Sequence, residues 1–182
     1  MTFASSEQFL RERNPLAWGC LVLDMAMPGM DGLELQRHLG EAGCSLPIIF
    51  LTGHADVPTS VQAMRGGALN FLTKPVDEEE LLSAVREALA KDGEDRRAAS
   101  AMTESRERLA TLTPRERQVL DGVVAGRLNK QIAGELGIVE KTIKVHRAHV
   151  MEKMGVRSLA ELARLAERLG IVQASPGDEA GT

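Results

Sequence analysis

The chain has 182 residues, 43% of them hydrophobic and 26% charged, with a formal net charge of −4. That length suggests one or two domains and that composition a globular, soluble protein. Aromatic residues make up only 3%, with no Tyr, which argues against binding RNA or single strands through stacked rings.

The net charge hides an asymmetry. Residues 1–112 hold 11 Lys and Arg against 17 Asp and Glu, whereas residues 113–173 hold 11 against 7. An acidic part followed by a basic part suggests a nucleic-acid module joined to something else. Cys20 and Cys44 have no metal or redox spacing and read as small apolar residues in a reducing cytosol. The start, Met-Thr-Phe-Ala-Ser-Ser, is no signal peptide, and no apolar run reaches transmembrane length. No membrane is expected, and a cytoplasmic protein is.

In chain order, Ser6 to Arg13 reads as a short helix, and Cys20-Leu-Val-Leu-Asp24 as a strand covered on both faces and ending in a carboxylate. A breaker-rich loop over Met27 to Gly32 leads to a helix over Leu33 to Leu39. Pro47 to Thr52 is a second buried strand. Gly53 to Pro58 is a loop, with His54 a loop residue, and a helix runs on to about Met64. Asn70-Phe-Leu is a third strand, followed by Thr73-Lys74-Pro75. Asp77-Glu-Glu-Glu80 opens a helix with Leu81, Leu82, Val85 and Leu89 apolar.

That alternation predicts a parallel sheet with helices on both faces, and ligands of such sheets gather at the carboxyl ends of strands. Asp24, Thr52 and Lys74 stand at or just after those ends. Singly, each has an ordinary reading: a helix cap, a strand residue, a surface charge. Together, a carboxylate, a hydroxyl and an ammonium can manage a phosphoryl group, with the carboxylate as nucleophile and the other two binding the transferred oxygens.

Residues 91–111 are polar and Ala-rich, with charge runs at Glu94 to Arg97 and Glu104 to Arg108. They form a linker, either a solvated, partly helical connector or one long helix. Thr113-Pro114-Arg115-Glu116 is a helix start with a capping box. Val119, Leu120, Val123 and Val124 form its apolar face, and Gly126 ends it. Asn129 is expected to cap a short helix with Ile132, Ala133 and Leu136 inward, ended by Gly137. Glu140 to Met154 is free of Gly and Pro. At about 100° per residue, Ile143, His146, Val150 and Met154 share one side, while Lys141, Lys144, Val145, Ala148 and Glu152 share the other. Ser158 to Glu161 caps a last helix with Leu159, Leu162, Leu165, Ala166 and Leu169 apolar, and Pro176 to Thr182 reads as a disordered tail. Two short helices joined by a Gly turn, the second cationic, form a helix-turn-helix suited to a DNA major groove. On patterning alone, a four-helix protein-interaction module stays open.

Two resemblances sharpen this reading. Leu21-Val-Leu-Asp24, Met27-Pro28, Asp31-Gly32, Leu51-Thr52-Gly53 and Lys74-Pro75 resemble the receiver domain of two-component response regulators. Leu112-Thr-Pro-Arg-Glu-Arg117, Asn129-Lys-Gln-Ile-Ala133 and Thr142-Ile-Lys-Val-His146 resemble the LuxR-type domain, and His146 to Met154 its FixJ-like branch. The fold implied is α/β, a truncated doubly wound, CheY-like receiver over residues 1–90, then the linker over 91–111. An all-α four-helix LuxR-type helix-turn-helix domain over 112–173 and the tail over 174–182 follow.

The receiver resemblance implies Asp24 as phosphoacceptor, Thr52 as switch hydroxyl, Lys74 as the invariant lysine and Phe71 as the aromatic that reports phosphorylation. It implies Mg²⁺ held by Asp24 and the Ala26 carbonyl together with an acidic pair. The first strand, the acidic pair behind it, the first helix and the second strand have no counterpart here, about one βαβ unit of roughly thirty residues. Without the pair, Mg²⁺ lacks its carboxylate ligands and a phosphoryl group much of its charge neutralisation, so inefficient phosphorylation of this chain is expected. A recorded start downstream of the true one is favoured over a remnant acting without phosphate and over a partner supplying the strands.

The LuxR-type resemblance implies double-stranded promoter or operator DNA as a partner, with Lys144 and Val145 at base-contacting positions. Lys130, Thr142 and Arg147 are candidates for phosphate or groove-edge contacts, and Lys141 and Ala148 complete the outer face. His146 reads as structural. Val139 stands where the family has a capping Ser. Leu162, Ala166 and Leu169 are expected to pair two copies on DNA. A sensor histidine kinase is the implied upstream partner and RNA polymerase a further candidate. The expected function is that of a DNA-binding transcriptional response regulator. The alternatives are a phosphate-independent DNA-binding regulator whose degenerate receiver makes protein contacts, and an enzyme supported only by the strand-end trio.

Overall fold

The computed structural model describes residues 1–15, 17–53 and 57–171. His54 and the tail lie outside the described residues, as does most of the loop expected between Gly53 and Pro58. The chain divides into two compact units, Met1–Arg97 and Ala98–Thr182.

In the first unit the described elements are α1 (Ser6–Glu12), β1 (Leu21–Asp24), α2 (Gly32–Glu41), β2 (Ile48–Thr52), α3 (Val57–Arg65), β3 (Asn70–Thr73) and the first half of α4 (Glu78–Ala110). The strands pair in parallel in the order β1-β2-β3. Adjacent residues of β2 face opposite ways, as the twofold strand period requires. Phe50 packs with Leu35, Leu39, Ala63 and Phe9 from α2, α3 and α1. Ile49 packs with Leu72, Ala84 and Ala88, the last two from α4. Both Ile49 and Phe50 are wholly buried. The unbroken apolar run of β2 is therefore the signature of a strand covered on both faces.

The buried Asp92 ties α4 to this unit. Its carboxylate accepts hydrogen bonds from the Gly19 N–H at 2.9 Å and the Arg96 Nε at 2.9 Å, and Arg96 also donates to the Ala17 carbonyl. Beyond that anchor α4 continues without a break to Ala110. It has no Pro, is rich in Ala, and is laced by Lys91–Asp95, Asp92–Arg96 and Glu104–Arg108 pairs one turn apart. Each such pair adds only a few tenths of a kcal/mol when exposed, but all favour the helical form.

The second unit holds the end of α4 and α5 (Pro114–Val124), α6 (Asn129–Leu136), α7 (Glu140–Met154) and α8 (Leu159–Arg168). Thr113 caps α5 with the reciprocal bonds of a capping box. Val119, Leu120, Ile132, Ile143, Val150, Met154, Leu162 and Ala166 form one core. Gly122 lets α5 and α6 close up, since a Cβ there would fall 2.9 Å from Ile132 Cγ1. The start of α6 differs from the expected Asn129 cap. Leu128 is the cap residue, its N–H is satisfied by Gln131 Oε1 at 2.7 Å, and Asn129 is the first helical residue. Asn129 is thereby freed for a contact described below. Among the described residues, no helix is long and apolar enough to cross a membrane.

Candidate phosphoacceptor site and nucleic-acid interface

Asp24 is the last residue of β1, Thr52 the last of β2, and Lys74 follows the last residue of β3. Two backbone bonds hold these ends level, from the Met25 N–H to the Leu51 carbonyl at 2.8 Å and from the Lys74 N–H to the Thr52 carbonyl at 2.7 Å. The Lys74 ammonium is ion-paired with Asp24 Oδ2, and the Ala26 N–H donates to Oδ1 at 3.1 Å. Partial burial pushes the Asp24 carboxyl up. The hydrogen bonds from Lys74, Ala26 and Met25, with the lysine's charge, outweigh that and hold it below the usual carboxylate range. The side chain remains 38% exposed. An ionised, accessible carboxylate beside an ammonium can attack a phosphoryl group and have the product's oxygens neutralised.

The surroundings press close on this carboxylate. A Cβ on Gly32 would lie 2.8 Å from the Asp24 carbonyl oxygen and 2.9 Å from the Phe50 ring, so only glycine admits the start of α2 here. Asp31 caps α2 with a capping box. The loop between β1 and α2 is tied to α1, where Ser6 Oγ donates to the Met30 carbonyl at 2.9 Å and the Met30 N–H donates to Glu7 at 3.1 Å. Thr52 is buried, at 4% exposure. Phe71 is half-buried, its ring centroid 6.5 Å from that of Phe50.

Mg²⁺ is the metal a receiver implies, and the residues present do not by themselves fit it. Among the described residues no three His, Cys, Asp or Glu side chains gather where they could hold a metal. The Asp24 carboxylate faces the Lys74 cation and backbone N–H groups, and one carboxylate is too sparse an oxygen set for a divalent ion.

In the second unit α7 follows α6 through Gly137, whose φ of 64° is the left-handed turn that glycine favours. Lys141, Lys144, Val145 and Ala148 are exposed on its outer side, with Lys144 reaching back to Glu140 at 3.5 Å. Ile143, Val150 and Met154 are buried on the inner side. His146 is half-buried, and its Nδ1 has no hydrogen-bond partner among the described residues. Lys130 is exposed on α6, and Thr142 and Arg147 are half-buried. Asn129 Oδ1 accepts from Arg147 Nη1 at 2.6 Å, a contact that the sequence did not foresee for this guanidinium.

Two features have no short-range sequence signal. Glu116 not only closes the α5 capping box but accepts from Lys153 Nζ at 2.6 Å, with His149 Nδ1 at 3.6 Å. The Lys153 hydrogen bond foremost and the Thr113 N–H next lower the Glu116 pKa to about 2. Arg108, near the end of α4, reaches the last turn of α7.

The pairing surface expected on α8 needs correction. Leu162 and Ala166 are 2% and 1% exposed within the unit's own core, and Leu169 packs against that core. Helical spacing turns those three inward together. The side left outward carries Leu159, Ala160, Arg164 and Glu167.

A parallel α/β unit with an ionised aspartate at a strand end, followed by a helix-turn-helix with a cationic outer face, defines a signal-receiving DNA-binding regulator. Residues 1–86 match the family described as response regulator receiver domain, and residues 110–166 match bacterial regulatory proteins of the luxR family. The chain is 45% identical over 171 residues to nodulation protein W of Bradyrhizobium diazoefficiens, covering 94% of this chain and 75% of that protein. It is 49% identical over 167 residues to the response regulator protein TodT of Pseudomonas putida, covering 92% and 74%. The solved structure of the response regulator StyR superposes with a TM-score of 0.78 at 48% identity, covering 92% of this chain and 84% of that one. The chain belongs to the two-component response regulators that join a receiver domain to a LuxR-type DNA-binding domain, a family of transcriptional regulators rather than enzymes.

Proposed function

We propose that Asp24 is the phosphoacceptor and that its phosphorylation controls duplex binding by the outer face of α7. The observation that carries this reading is the ionised, accessible Asp24 paired with Lys74 at the end of β1. One Asp24 oxygen attacks the phosphorus of a phosphohistidine on a sensor kinase. The phosphorus–nitrogen bond breaks, the imidazole leaves and takes up a proton, and an aspartyl phosphate remains. Lys74 then transfers its pairing to the phosphoryl oxygens, with Thr52 and Phe71 as the residues that respond.

On the DNA side, Lys144 and Val145 read base edges from an exposed helix face. Ala148 lies against the groove, Lys141 reaches a phosphate beside it, and Lys130, Thr142 and Arg147 contact phosphates or the groove edge. A homodimer on DNA would use the outward side of α8, with RNA polymerase a further partner and the cytoplasm its compartment. A second reading, DNA binding independent of phosphate, is favoured by the sparse oxygen set around Asp24. Incubating the full chain with acetyl phosphate and Mg²⁺, then weighing it intact, separates the two. Gain of one phosphoryl group, lost in Asp24→Asn, supports the first reading. An unchanged mass at saturating donor supports the second.

A further inference from the structure

The end of α4 reaches across the second unit to the last turn of α7. Arg108 Nη1 donates to the Met154 carbonyl at 3.3 Å, and Met154 is the last residue of α7. The next residue, Gly155, has a φ of 67° and ends the helix in the left-handed conformation. A Cβ built on Gly155 would fall on Arg108 Nη1, so the guanidinium occupies the space a side chain would need. Glycine is thus required there twice over, for the backbone turn and for the approach of the arginine. Arg108 is itself aimed by Glu104, one turn earlier on α4, at 2.7 Å.

A second contact runs in parallel. Lys153 Nζ donates to the Thr111 carbonyl at 3.3 Å and to Glu116 at 2.6 Å, joining α7 to the turn after α4 and to the start of α5. Leu109 and Leu112 pack against the core that holds Ile143, Val150 and Met154. The last four carbonyls of a helix have no partner within it, and a cation near them is favoured by the helix dipole. A residue of α4 therefore supplies a donor to the Met154 carbonyl, in addition to the Gly155 cap that α7 carries in its own sequence. Arg108 also lies just outside residues 110–166, the extent of the luxR-family match.

We propose that Arg108 is a positioning residue for the recognition helix, fixing α7 through its C-terminal carbonyls without itself touching DNA. The inference rests on the DNA-binding reading of α7 given above. It makes the end of α4 a handle on the recognition helix, through which strain or release in α4 alters duplex affinity.

The test compares the full chain with Arg108→Ala, Arg108→Gln and Lys144→Ala on a duplex selected from a random-sequence pool by the unaltered chain. Affinity is measured across a salt series, well below each variant's melting temperature. Loss of one charge-assisted bond that orients the helix is expected to weaken binding by Arg108→Ala about 3- to 10-fold. The slope of log affinity against log salt should stay unchanged, because a residue that touches no phosphate releases no counterion. Arg108→Gln, which keeps one amide donor of similar reach, should recover part of the loss, and it decides the matter if the alanine variant does not fold. An affinity unchanged in both variants overturns the inference. So does a slope shallower by about 1, which would make Arg108 a direct phosphate contact. If the unaltered chain selects no duplex, or Lys144→Ala binds it equally well, the recognition-helix reading itself fails.

Discussion

Glu116 does two jobs with one carboxylate, and the acid side of the stability curve should show it. It closes the α5 capping box through the Thr113 N–H and holds Lys153 on α7. Its pKa is lowered from 4.5 to about 2. The unfolded chain therefore binds a proton at Glu116 before the folded chain does. The stability this side chain supplies is complete above about pH 4.5 and is lost as pH falls towards 2. Glu116→Gln keeps an acceptor for the cap but not the ion pair. Urea unfolding should show the variant less stable at neutral pH, with its deficit shrinking as pH falls through that window. A constant deficit from pH 7 to 2 would assign the effect to packing instead. The capping box was legible because its partners are three residues apart. The Lys153 partner, 37 residues away, was not, since no local rule reaches that far.

Among the elements, α7 shows both what sequence reveals and where it stops. Its bounds follow from the unbroken run between Gly137 and Gly155, and its buried side from the spacing of Ile143, Val150 and Met154. Neighbouring α6 shows the limit, because Asn129 has a capping residue's chemistry but bonds Arg147 instead. A polar side chain's choice between its own helix end and a neighbour depends on tertiary distance. The same limit applies to α8, where an apolar stripe looks alike whether it meets the unit's own core or a second copy. At the other end of α7, Val139 makes no side-chain cap bond and is 67% exposed. Val139→Ser should supply the missing acceptor and stabilise the second unit by about 1 kcal/mol, at little cost in burial. That corresponds to a rise of about 4–8 °C in its melting transition. A calorimetric transition that does not move would show that the N-terminal amides of α7 gain nothing from a cap.

On the scale of the whole molecule, charge is divided so that one end favours DNA and the other does not. The chain's −4 combines a surplus of bases in residues 113–173 with surpluses of acids in residues 1–112 and 174–182. Coulomb effects of the acidic end on a bound duplex fade beyond a Debye length of about 10 Å at 0.1 M salt. In the interface proposed above, Lys130, Lys141 and Arg147 would each neutralise a phosphate, and the counterions so released do not depend on the charge of residues 1–112. About three neutralised phosphates per copy predict a slope of log affinity against log salt of about −2.7 for one bound copy and about −5.4 for two. Filter-binding or anisotropy titrations of the full chain above 0.1 M salt, where the acidic end is largely screened, should fall on one of these values. A slope of about −5.4 also predicts that Ala160→Glu, which adds an acid to the outward side of α8, halves it by preventing paired binding. A slope near zero would remove phosphate contact from α6 and α7, and with it the argument that the basic end was built for a nucleic-acid backbone.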